Sequence, residues 1–162
     1  MDLVDTLLGH DEWTSQLLLD IAKTMDDEQL DADHGFAHRT IRRTLNHLIH
    51  NVDVWGGLMD GVAEFRQPES RDSTTDALER RLRESYARFG RVARDVARRQ
   101  AWDDEWVDVL DTPPQPKTFG AAIAHVITHN MHHRAQLLQM FRLSGLTNLP
   151  EGDVFSWVKA AS

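Results

Sequence analysis

Cysteine is absent from the 162 residues. That excludes disulfides, thiolate-held zinc and a cysteine nucleophile together. A metal here has to be held by histidine, carboxylate or water, and thiol chemistry needs a thiol brought by a small molecule. No apolar run approaches the roughly 18–20 residues required to span a bilayer. The opening MDLVDTLLGHDEW carries Asp2 and Asp5 and no basic leader, so it does not read as a secretory signal and a cytoplasmic protein is expected. A positive excess is missing too: the net charge of −8 argues against nucleic acid or an anionic membrane as the main partner. There is no phosphate-cradling glycine loop and no G-x-S-x-G elbow, so kinase and common hydrolase readings have no support.

One stretch reverses the charge. Residues 79–99 hold eight arginines against Glu79, Glu84 and Asp95. At about 100° per residue, Arg80, Arg83, Arg91, Arg94 and Arg98 share one side of a helix and Leu82, Phe89, Val92 and Val96 the other. The reading favoured by charge is a solvated outer face paired with neighbouring carboxylates, and a nucleic-acid patch is the alternative.

Helical periodicity dominates, and 1–162 reads as one domain. A first helix is expected over about residues 3–25, a second from about His38 to Met59, and a third from a cap at Ser73 or Thr74 to about Gln100. The stretch DGVAEFRQPES breaks the pattern between the second and third. The fourth begins near Thr118 and ends near Ser144–Gly145. Before it, AWDDEWVDVLDTPPQPK is irregular, with room for two short strands near Trp106–Leu110. The tail has room for a short helix laying Phe155 and Trp157 onto the rest. Four long amphipathic helices in one chain make an all-α, up-and-down-type four-helix bundle the expected fold.

Histidine is abundant where cysteine is absent. Four of the nine histidines fall within HVITHNMHH, residues 125–133. Helical spacing puts His129 and His133 inside the apolar stripe one turn apart, the arrangement by which one helix offers two imidazoles to one metal. A third ligand has to come from another helix. In LNHLIHNVDVW, His47 leans toward the apolar stripe and His50 lies further out. The competing reading makes the inward histidines hydrogen-bonded core residues. His125 and His132 fall at the stripe's edge, as solvated residues or supports to a ligand. His10, His34 and His38 have no spacing argument, and a helix-surface role is expected for His10. Asp53 and Arg134 either orient ligands or form an ordinary interhelical ion pair.

These segments resemble the DinB-like (DinB/YfiT) family of damage-inducible bacterial four-helix-bundle proteins. The resemblance rests on TLNHLIHNVDVW, on HVITHNMHHRAQL and on the tail LSGLTNLPEGDVFSWV, and extends over essentially the whole chain. It implies a metal triad of His47, His129 and His133, with Ala135 standing where the family usually has glycine. Three imidazoles leave a position open, as catalytic sites do, and zinc or nickel suits such a donor set. The resemblance further implies activation of water or of a low-molecular-weight thiol, in a thiol transferase or hydrolase acting on a small-molecule substrate. A non-catalytic metal-binding stress-response protein is the alternative. Relatives often form homodimers, for which Ile127, Met131 and Leu138 offer a face.

Overall fold

The computed structural model describes residues 2–62 and 73–161. The elements run α1 (Leu3–Ala22), α2 (Asp27–Asp31), α3 (Ile41–Met59), α4 (Thr75–Arg99), β1 (Glu105–Asp108), β2 (Gln115–Thr118), α5 (Phe119–Leu143) and α6 (Val154–Ala160). The four long helices form a bundle. No helix among the described residues is long and apolar enough to cross a membrane. The expected break over DGVAEFRQPES falls mainly on residues 63–72, outside the described residues.

Local chemistry sets the helix ends. The Asp2, Thr40, Thr74 and Thr118 side chains each accept a backbone N–H of the first turn, meeting donors that a helix start leaves unpaired. Thr40 accepts from Arg43 N at 3.1 Å. The second long helix therefore starts at Ile41 rather than His38, and His38 lies in a loop. That loop is tight: Ala37 and Arg39, flanking His38, both have positive φ, 49° and 73°, a conformation that costs non-glycine residues energy. The first helix stops at Ala22, short of the expected 25. The polar connection contains α2, whose Asp26–Gln29 capping box and buried Leu30 were not foreseen.

Cross-helix pairs fix the directions. Thr44 meets Met140 and Asn51 meets Asn130, while Trp55 meets His125, so α3 and α5 are antiparallel. Lys23–Glu79 and Arg94–Asp5 make α1 and α4 antiparallel. By contrast, Asn46–Arg81, Asp53–Arg88 and Asp60–Arg91 advance together, so α3 and α4 run parallel. The result is up-down-down-up, correcting the up-and-down-type order. α1 borders α4 and α5, and so does α3, which leaves α1 diagonal to α3 and α4 diagonal to α5. The two diagonal crossings use the long connectors 23–40 and 100–118, as bundles with crossover connections do. Both connectors end beside the histidines.

A polar network crosses the core. Asp11 of α1, fully buried, accepts from Tyr86 Oη of α4 at 2.8 Å and from Asn130 Nδ2 of α5 at 2.9 Å, and it pairs with Arg134. Asn51 of α3 donates to Asn130 Oδ1 at 3.3 Å. All four long helices are joined through side chains whose burial without partners would be costly. Burial pushes the Asp11 carboxyl up, opposed by Arg134, Asn130 and Tyr86.

The strand pair is present: β1 and β2 are antiparallel, with Trp106 opposite Lys117 and Asp108 opposite Gln115. Of the two tail aromatics, only Trp157 docks. Its ring lies where a Cβ on Gly9 would be 2.3 Å from Cζ2, while Phe155 is 86% exposed. Asp153 caps α6 and turns Phe155 outward. His10 is buried, not on the surface, and its Nε2 bonds the Gly152 carbonyl at 2.8 Å, tying the tail to α1.

Candidate metal centre

Four imidazoles meet between α3, α5 and the loop before α3. His133 is buried, at 4% exposure, while His38, His47 and His129 are half-buried. His133 Nε2 lies 2.9 Å from His129 Nε2. The His47 ring stands edge-on to His133 at 4.9 Å between centroids and to His129 at 6.0 Å. His38 stacks on His47 at 3.8 Å, with the planes 24° apart. One ligand atom each from His38, His47 and His133 all fall within 4.8 Å of one another. His47 and His133 thus stand at the middle, with His129 on one side and His38 on the other.

His38 is the member that sequence reasoning passed over. Its signal was the N-cap: a helix beginning after Thr40 leaves His38 in the loop, free of the helical face that would have fixed its direction.

The protons of His133 can be placed. Its Nδ1 lies 2.9 Å from Gln136 Oε1. A carboxamide oxygen only accepts, so Nδ1 carries the hydrogen and Nε2 presents its lone pair inward. An imidazole that donates its outer N–H while offering the other nitrogen is the usual form of a metal ligand. Gln136 Nε2 donates to His132 Nε2 at 2.7 Å, so one amide is fixed by two rings. Burial pushes His133 down to about 4, and burial reinforced by His125 and His47 lowers His129. Both are neutral at neutral pH. The chemistry fits a divalent cation of intermediate softness.

Asp53 and Arg134 do not orient ligands. Asp53 pairs with Arg88 at 3.2 Å, and Arg134 turns into the core to Asp11. Gln136, three residues beyond His133 on the same helical face, holds the imidazole instead.

Along α5 the row of rings continues to His125, stacked 5.3 Å from His129 and edge-on to Trp55 at 5.0 Å. Trp106 meets Trp55 edge-on at 6.0 Å. Lys117 Nζ sits 5.2 Å over the Trp55 ring while paired with Asp108 and Asp111. The hairpin thereby stands at one end of the histidine row and the His38 loop at the other. The arginine face of α4 is largely paired: Arg83, Arg91, Arg94 and Arg98 each meet a carboxylate, in keeping with a solvated face.

The chain matches the model of the DinB family over residues 1–154 and belongs to that family. No curated protein and no solved structure matches it.

Proposed function

We propose that this chain is a metal-dependent enzyme in which His47, His129 and His133 hold one divalent cation, zinc or nickel. The observation that carries the proposal is the convergence of His47 from α3 on the His129–His133 pair of α5, with the His133 lone pair turned inward by Gln136. A cation bound there supplies Lewis acidity that promotes ionisation of water or of a small thiol. The chain's own part is to keep His133 neutral by burial and to set its ring by the Gln136 carboxamide. The aromatic pair Trp55 and Trp106 walls one approach to the row. With no cysteine to serve as nucleophile, a thiol-transfer reaction would draw on a low-molecular-weight thiol from solution.

A second reading, a non-catalytic metal-binding stress-response protein, is favoured by one observation: a further imidazole, His38, already crowds the centre. The zinc- or nickel-loaded protein, assayed for hydrolysis and for thiol transfer to electrophiles, separates the two. Turnover that disappears in His133→Ala is expected. Stoichiometric metal without turnover on any thiol–electrophile pair would leave the binding reading in place.

A further inference from the structure

We infer that His38 is a fourth nitrogen donor to the cation, delivered by the loop between α2 and α3, and that it occupies the position an external ligand needs. The inference rests on the metal reading above and extends it to a residue outside the three-histidine set.

Two features of the loop point this way. The first is reach: a nitrogen of His38 lies within 4.8 Å of donor atoms on both His47 and His133, and its ring is 5.3 Å from that of His133. Ligands around one zinc at ~2.0–2.1 Å are separated by a little over 3 Å in a tetrahedron, so closure of the ring requires only a modest contraction. The second is construction. The residues on either side of His38 hold left-handed backbone conformations that alanine and arginine rarely adopt. Surrounding bonds maintain them: Arg39 is paired with Asp33, His34 N donates to Arg39 O at 2.7 Å, and Arg39 N donates to Phe36 O at 2.8 Å. Strain kept in place by local bonds collects at positions with a task, and here it turns one imidazole toward two others.

With His38 bound, a four-coordinate cation has four protein nitrogens and no vacant position, the pattern of a closed site. A water or thiol must then compete with His38. A thiol entering there would give its proton to solvent and displace His38 as a neutral imidazole, and the loop of residues 32–40 would move with its histidine. His38 therefore sets access to the centre.

The test uses the full-length protein, its native metal replaced by Co(II), whose visible absorption reports coordination number. Wild type, His38→Ala, His38→Gln and His47→Ala are each titrated with Co(II) and then with 2-mercaptoethanol. The expected result is four-coordinate absorption in wild type and a changed spectrum in both His38 variants. Their Co(II) affinity falls at least about tenfold, and the thiol enters at a concentration about tenfold lower than in wild type, seen as thiolate-to-cobalt charge transfer. If both His38 variants match wild type in spectrum, affinity and thiol titration, His38 is not a ligand and the three-histidine reading stands alone. If wild type binds no Co(II), the metal reading itself fails and the assignment of His38 fails with it.

Discussion

At the scale of single residues, the centre depends on which proton His133 carries. Gln136 fixes it, since its carboxamide oxygen can only accept from Nδ1. Gln136→Ala is expected to leave the fold intact and weaken metal binding by about 10–100-fold, measured by competition with a chromophoric chelator. Unchanged affinity would remove Gln136 from the site. A pH dependence follows from the same ring. Folded His133 titrates near 4 against an ordinary value of 6.5, so between those values the unfolded chain binds a proton that the native chain refuses. Stability of the metal-free protein is thus full above about pH 6.5 and declines as pH falls toward about 4, where the loss levels off. Thermal melts of chelator-treated wild type and His133→Gln across this range check it, with the decline shallower in the variant.

Gln136 was readable in principle, because residues three apart share a helical face, yet until His133 is placed its amide looks like one more side chain hydrogen-bonded to water. The histidine cluster was legible in its α5 half and in His47, because those positions obey a helical period. His38 obeys none. Its direction depends on Ala37 and Arg39 taking conformations that nothing in their identities requires.

At the scale of elements, the four long helices were legible because each has a continuous apolar stripe and a threonine or aspartate at its start. Their neighbours were not. Whether α3 and α4 run parallel is decided by Asn46–Arg81, Asp53–Arg88 and Asp60–Arg91, and arginines spaced along α4 could have met partners on either adjoining helix. The tail illustrates the same limit. Both aromatics of FSW fit an apolar anchor, and only the cap at Asp153 together with the bare backbone at Gly9 selects Trp157. Gly9→Ala puts a methyl 2.3 Å from the indole. It is expected to lower stability by about 1–3 kcal/mol and to speed proteolysis of the segment after residue 145. Wild-type stability and cleavage would show that α6 accommodates the methyl by moving.

At the scale of the whole molecule, a buried polar network and a histidine cluster share one core, both anchored on α5. His133 faces the site, and the next residue, Arg134, faces Asp11. A single step along the helix therefore couples the histidine cluster to the bonds that hold α1, α3 and α4 in register. Asp11→Ala leaves the Arg134 charge buried and uncompensated, and is expected to cost about 3–5 kcal/mol in chemical denaturation. The smaller loss of a replaceable hydrogen bond would contradict that account of the core.

The central claim is that the histidines hold one cation, and elemental mass spectrometry on tag-free protein tests it most directly. Wild type is predicted to carry about one zinc or nickel per chain after purification or reconstitution, and a His47→Ala/His133→Ala double variant none. A wild-type protein that binds no divalent metal after reconstitution would contradict the claim, leaving the imidazoles of His47, His129 and His133 as hydrogen-bonding residues of the bundle.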